Sequence, residues 1–199
     1  MHSSKTKSLF MILFLIISFF LNSCLDSTDK NHQKLADPFD SLSLYGMLPE
    51  FSGVNDSGVS VKKKTLQKKI WLMSFFFTSC GDICPKLNAV QKSLVKKHIS
   101  EKLGFISFTV DSEVDTPVHL KTHRSQMGFD DARWQFVRMD HDTILESFMN
   151  GMLVGYSDNP QNHSARFILI DTAFRIRGYF DALDKKQIDS LDMILNRMR

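Results

Sequence analysis

The sequence has no dense charge of either sign: 25 Lys and Arg stand against 22 Asp and Glu over 199 residues. A net charge of +3 is far from the basic field a nucleic-acid footprint needs, which excludes nucleic acid as the partner class. Low-complexity blocks and internal repeats are absent, and 43% apolar residues with 17 Phe do not make a disordered composition. The chain is long enough for one domain with a sizeable core. No apolar run reaches the roughly 18 residues that a spanning helix usually needs. The longest, Leu9 to Leu21, covers 13 positions and is interrupted only by Ser18. Cysteine is scarce: there are three, and an odd count in an exported protein implies a leftover thiol, an intermolecular bond or a modification.

Lys5 and Lys7 precede the first apolar run, which stops at Asn22, Ser23 and Cys24. That is the pattern of an export signal over residues 1–23. Leu21-Asn22-Ser23-Cys24 resembles a bacterial lipobox, where the chain is cut before the Cys and lipid is attached to its sulfur, although Asn22 is larger than the small residues preferred there. The plainer alternative is an ordinary export signal with an incidental Cys24. Both place the folded part outside the cytoplasm, on the periplasmic side, and the lipobox reading anchors it to a membrane. Without Lys5 and Lys7 the chain carries 23 basic against 22 acidic side chains, because its first 23 residues hold no acid. Residues 24–42 are polar and without sustained period, and read as a flexible tether reaching about 25 Å.

From residue 43 to residue 199 strands and helices alternate. A hairpin is expected within Leu44 to Val61, with Gly53, Asn55, Asp56 and Gly58 as turn material. Ile70 to Phe77 is a nearly continuous apolar run, as suits a strand buried on both faces. Ile83 to Ser100 repeats apolar residues at helical spacing (Ile83, Leu87, Val90, Leu94, Val95), with Lys86, Lys92, Lys96 and Lys97 on the solvated side. A strand at Gly104 to Val110 follows, then a helix capped by Asp115 or Thr116 with Pro117 in its first turn. Next come a strand at Trp134 to Arg138, a helix at Asp142 to Gly151, strands at Arg166 to Asp171 and Ile176 to Phe180, and a helix from Asp184 to Met198. This order predicts an α/β, thioredoxin-like sandwich: a mainly parallel central sheet with flanking helices and an N-terminal β-hairpin.

In such sheets functional groups collect outside the carboxyl ends of the strands, here the junction after Phe77. Cys80 and Cys84 lie there, four apart on the first turn of the helix, so their Cβ atoms stand about 5 to 6 Å apart. The helix N-terminus favours thiolates. The pair can grip a soft metal ion, exchange with disulfides or close a structural bridge, although a bridge over so short a loop constrains the unfolded chain little. Two thiolates select Cu(I), and an added imidazole also suits Cu(II). Of the seven histidines, His2 falls in the signal, His32 in the tether, His98 near a helix end and His141 in a loop or beside a helix cap. His119 and His123 are four apart on a helix and could pair on a metal, but two His beside Lys121 and Arg124 fit a solvated face better. His163 differs, since it follows Gly155, Asn159 and Pro160 in a loop just before the strand at Arg166, and that loop can return beside the cysteines.

The run Phe75-Phe76-Phe77-Thr78-Ser79-Cys80-Gly81-Asp82-Ile83-Cys84-Pro85 resembles the copper-binding motif of the Sco/SenC family, membrane-tethered thioredoxin-like proteins that help assemble the copper centre of cytochrome c oxidase. Phe108 to Pro117 resembles that family's second signature, and Asn162-His163-Ser164 its distal histidine segment. With Leu48-Pro49-Glu50-Phe51 the likeness covers Leu44 to Arg199. It implies that Cys80, Cys84 and His163 bind one copper ion, Cu(I) or Cu(II), with Asp82 as a neighbour that tunes or orients the site. The implied recipient is the copper-bearing subunit of cytochrome c oxidase, and a thiol reductant or another copper donor is a further partner. Gly81 stands where a Pro is common, Asn162 where an Asp often precedes the His, Ser112 and Val114 where the second signature has Pro and Arg, and Phe174 where a turn Gly is usual. The ten Met are scattered, as core filling is, rather than grouped as a relay.

The rival class is a thiol-disulfide oxidoreductase in which Cys80 attacks, Cys84 resolves and His163 adjusts protonation. Such exchangers carry a cis-Pro just before the strand beside the active site, whereas this chain has His163-Ser164 there and Pro160 three residues earlier. A peroxidase would want one cysteine in a dedicated pocket, and no such signature is present.

Overall fold

The computed structural model describes Phe39, residues 41–155 and residues 165–198. The export signal, Cys24, most of the tether, Asn162 and His163 lie outside the described residues. The two central strands, β4 (Ile70–Phe76) and β5 (Leu103–Thr109), are buried at every position. Their near-continuous apolar runs allow this, because layers cover both faces. Glycine is required at Gly104, where a Cβ would run into the Trp71 ring on the neighbouring strand.

Four helices are described: α1 (Ile83–Lys97), α2 (Pro117–Gln126), α3 (Asp142–Gly151) and α4 (Lys185–Asn196). The remaining strands are β1 (Gly46–Met47), β2 (Ser52–Asn55), β3 (Ser60–Lys62), β6 (Trp134–Met139), β7 (Arg166–Ile170) and β8 (Arg175–Asp181). They form one sheet in the order β1-β8-β7-β4-β5-β6-β2-β3. One core gathers Leu72, Phe76, Phe105 and Phe136 from the sheet under Leu87 and Leu94 of α1, Leu120 of α2 and Leu191 and Leu195 of α4. The opposite core packs Trp71, Met73, Phe75, Ile106 and Phe108 against Leu145, Phe148 and Met149 of α3. Phe39 and Leu42 join the first core and Arg177 lies over the Phe39 ring, so packing reaches into the last residues of the segment read as tether.

The expectation of a mainly parallel sheet needs correction. Only β4–β5 and β5–β6 pair in parallel; the other five pairings are antiparallel. Parallel neighbours require a crossover, and only α1 and α2 supply one between adjacent strands. The closing segment returns as a hairpin, so β7 enters beside β4 in the opposite direction. The expected N-terminal hairpin is β2–β3, and it extends the sheet beyond β6, while β1 pairs with β8 at the other edge. Phe174, between β7 and β8, sits in the left-handed region at φ 61°. Its carbonyl accepts from Leu48 N at 2.7 Å, which ties the start of the fold to the closing hairpin.

Candidate metal centre

The carboxyl ends of β4 and β5 and the N-termini of α1 and α2 meet at the two cysteines. Cys80 is half-buried in the loop after β4, and Cys84 is 1% exposed on the first turn of α1; no disulfide joins them. The Cys84 amide N–H donates to Cys80 Sγ at 3.4 Å, so the first turn of the helix points a donor at the neighbouring sulfur. Burial pushes the Cys80 thiol up, but the hydrogen bond with the Cys84 side chain and the N–H groups of Cys84, Asp82 and Ile83 outweigh it, and the net direction is down. Cys84 goes the other way, pushed up to about 12 by burial first and then by its hydrogen bond with Cys80. The charges of Cys80 and Asp115 add to that rise, and a backbone hydrogen bond at Phe77 opposes it. The pair is therefore asymmetric: a half-buried Cys80 thiol held low and a buried Cys84 thiol pushed up.

Asp82, expected to tune or orient the metal, turns its carboxylate away. It accepts from Lys86 Nζ at 2.7 Å on the helix exterior, and that lysine holds its carboxyl below the usual range. What Asp82 offers Cys80 is its backbone N–H. Gly81 has open space around it, so the missing Pro leaves room for a side chain.

The described histidines have other partners. His98 is buried with Nε2 2.8 Å from Asp192 Oδ1, and His141 is the exposed N-cap residue of α3 without a side-chain cap bond. His119 Nδ1 is 2.5 Å from the Val114 carbonyl. His123, expected on a solvated face with His119, is half-buried between the Phe76 and Phe136 rings, and its Nε2 lies 3.2 Å from Asn88 Nδ2. Burial pushes its imidazole below the ordinary value, only partly offset by the Asp115 charge. Both histidines, with Thr78, Val114, Thr122 and Gln126, line a cleft of about 240 Å³. Among the described residues no group of three His, Cys, Asp or Glu could hold a metal ion. The lysines of α1 are also less free than a solvated face implies: Lys97 pairs with Asp192, Lys92 donates to the Met127 carbonyl, and Lys92 and Lys96 lie over the Phe129 ring.

A further residue of this junction was read only as a helix cap. Thr116 takes the capping role, accepting from His119 N at 3.3 Å. Asp115 is fully buried and accepts from Thr78 N at 3.0 Å, from the Thr78 hydroxyl, and from Thr109 Oγ1 at 2.5 Å. The one sequence signal for it was its place in the second signature, Phe108 to Pro117.

The family model described as SCO1/SenC matches residues 43–198. The chain is 26% identical over 183 residues to the SCO1 protein homolog of Bacillus subtilis (strain 168), covering 88% of this chain and 89% of that protein. Among solved structures, a SCO1/SenC family lipoprotein from Bacillus anthracis str. Ames superposes with a TM-score of 0.70 at 23% identity, over 76% of this chain and 94% of that one. BsSco, a member of the Sco family of cytochrome c oxidase assembly proteins in which a disulfide switch has been identified, gives 0.70 at 23%, over 78% and 95%. Arabidopsis thaliana ScoI, solved with copper bound, gives 0.62 at 19%, over 76% and 99%. These likenesses carry the thioredoxin-like fold of the described domain.

Proposed function

The chain belongs to the SCO1/SenC family, and on that premise we propose that it is an extracytoplasmic copper chaperone that binds one copper ion and delivers it to the copper-bearing subunit of cytochrome c oxidase. The observation that carries this reading is the cysteine pair itself: Cys80 in the loop after β4 and Cys84 on the first turn of α1, unbridged, with amide donors facing the first sulfur. Thiolates so placed suit a soft ion such as Cu(I), and His163, supplied from the loop before β7, would complete the set and extend it to Cu(II). Relatives solved with copper bound, and one named as an oxidase assembly protein, support the cargo and the recipient. Lipid on Cys24 would hold the domain at the membrane on the periplasmic side, where a respiratory oxidase also displays its copper; a relative of the same fold is a lipoprotein. A recipient takes the ion by stepwise ligand exchange at an open, few-coordinate site.

The test is a copper titration of the reduced protein, comparing wild type with Cys84→Ser and His163→Ala. Loss of tight Cu(I) binding in Cys84→Ser, and of Cu(II) binding in His163→Ala, is the expected result. Unchanged binding of both oxidation states in His163→Ala refutes the three-ligand site. Mass spectrometry of the mature N-terminus checks the lipid on Cys24.

One observation favours the second reading, a thiol-disulfide oxidoreductase. The thiols are split as attacking and resolving cysteines are, Cys80 held low and Cys84 raised. In that role the pair gives up two electrons and two protons to a partner's disulfide and closes its own. Full exchange activity without any effect of copper on oxidase maturation would transfer the function to this class.

A further inference from the structure

Asp115 is a carboxylate with no exposure and, among the described residues, it is held by two hydroxyls and an amide N–H, with no cation within salt-bridge distance. A polar side chain buried this deeply is tolerated only where its hydrogen bonds are made, so the partners it takes locate its role. What the Asp115 side chain provides is a forked head whose two oxygens take hydrogen bonds from different directions. Here those directions are the carboxyl ends of the two central strands. Thr109 is the last residue of β5, and Thr78 is the second residue after β4. The last backbone contact between those strands is Val110 N to the Phe76 carbonyl at 2.9 Å. Asp115 takes over at that point, gripping Thr78 through both its N–H and its hydroxyl. Asp115 is itself fixed, because its N–H donates to the Asp111 carbonyl at 2.9 Å and Asp111 N donates to Thr109 Oγ1 at 3.0 Å.

We propose that Asp115 is a positioning residue for the cysteine pair: through Thr78 it sets where the chain leaves β4, and therefore where Cys80 Sγ stands over the first turn of α1. Downstream, the loop is closed by Cys80 N donating to the Phe77 carbonyl at 3.3 Å and by the start of the helix. Releasing Thr78 removes the bonds that tie this short loop to Asp115 and, through it, to the end of β5. The inference rests on the reading that Cys80 and Cys84 grip copper, and it adds what fixes their separation.

The experiment uses the full-length chain in detergent, reduced, with Cu(I) affinity measured by competition against a chromophoric chelator and the Cu(II) form followed by its sulfur-to-copper absorption and its EPR spectrum. Asp115→Ala and Thr78→Val are expected to weaken Cu(I) binding about tenfold, the lower end of what outer partners of metal sites contribute, and to change the Cu(II) spectrum. Asp115→Asn is the rescue arm, because its amide oxygen can accept from Thr78 N and Thr109 while its NH₂ donates to the Thr78 hydroxyl. It is expected to retain wild-type affinity and spectrum. Thr78→Val removes one hydroxyl at a half-buried site, so it decides the matter if Asp115→Ala fails to fold. Wild-type affinity and spectrum in Thr78→Val overturn the proposal, and so does an Asp115→Asn protein as impaired as the alanine variant, which would mean that charge and not the hydrogen-bonded grip is at work. A wild-type protein that binds no copper is a different result and overturns the reading of the site itself.

Discussion

Alkylation of the reduced, metal-free protein should label Cys80 and spare Cys84 by a wide margin. Cys84 is pushed up to about 12. That is about 3 pH units above the value it starts from, so at neutral pH the Cys84 thiolate is about 1000-fold scarcer than an ordinary one. A more basic thiolate is also a better nucleophile, and with a Brønsted slope of about 0.45 this recovers about 20-fold. The remaining deficit is about 50-fold, before counting that its side chain is buried and must open to meet a reagent. Cys80 carries no such handicap, since its thiol is held below the ordinary value despite partial burial. Iodoacetamide at neutral pH, quenched over time and read by peptide mass spectrometry, should therefore find Cys80 modified roughly two orders of magnitude faster. The sign with pH follows: Cys80 labelling should level off at a lower pH than in a denatured control, while Cys84 labelling should keep rising into strongly alkaline solution. Similar rates at the two sites, or Cys84 labelled first, would refute the asymmetry and with it the assignment of Cys80 as the first donor.

Three further outcomes are expected. Asp171 is fully buried, with Arg177 Nε at 2.7 Å and Arg175 Nε at 2.6 Å, and Asp171→Asn leaves the 7%-exposed Arg177 without its counter-charge at a cost of about 3 kcal/mol in urea melts at pH 7. Burial opposes the Asp171 charge, but the Arg175 N–H, the two guanidinium groups and the Ala173 N–H outweigh it and hold the carboxyl below its ordinary value. Its stabilisation is therefore complete above about pH 4 and is lost as pH falls through the lower folded value, so the gap between wild type and Asp171→Asn should narrow in acid and not in base. Gly81→Ala should raise stability by about 0.5 kcal/mol, since the site has open space and the change chiefly restricts the unfolded chain; a loss of stability in thermal melts would show that the loop needs glycine. Phe148 touches the rings of Phe51, Phe75 and Phe108 at centroid distances of 5.0 to 6.2 Å, and Phe148→Ala should cost about 4 kcal/mol in the same melts, with a loss near zero contradicting the packing of α3 on the sheet.

The elements that could be read from the sequence were those whose environment is uniform. β4 and β5 are buried on both faces, so their composition alone marked them, and α1 showed its apolar stripe because one side faces the sheet and the other water. Strand direction was not legible, because an apolar run reads the same whichever way its neighbour points; only the connection lengths distinguish β7's antiparallel entry from a parallel one. At the site, the cysteines announced themselves by spacing at a strand-to-helix junction. Asp115 did not, since an acid just before a helix is the ordinary signature of a cap, and the sequence left Asp115 and Thr116 as alternatives for that task. His123 misled for a similar reason: flanking Lys121 and Arg124 suggested solvent, whereas Arg124 is itself drawn inward to Asp56 at 2.6 Å. The family likeness pointed to residues 108–117 as a unit, and within it the structure turns the Asp115 carboxylate onto Thr78, two residues before Cys80.

The two readings of the site also share a physical requirement that the fold meets in one way. A chaperone must hold an ion firmly enough to carry it and loosely enough to surrender it, and an exchanger must present one sulfur while reserving the other. Both are served by two unlike thiols, and the unlikeness follows from where the helix begins. Because α1 starts between the cysteines, Cys80 lies outside its N-terminus, where amide N–H groups converge on its sulfur, and Cys84 lies inside the first turn, against the core. Moving the helix start by one residue would exchange neither sulfur's chemistry but would remove the N–H groups from Cys80. On the proposed reading, capture then has an order: Cys80 meets the ion first as the exposed donor, and Cys84 gives up its proton only once a cation is present to replace it. Release runs in reverse, with the buried sulfur reprotonated before the exposed one lets go. A symmetric, solvent-exposed dithiol would have no such order, and would give a recipient no preferred sulfur to attack.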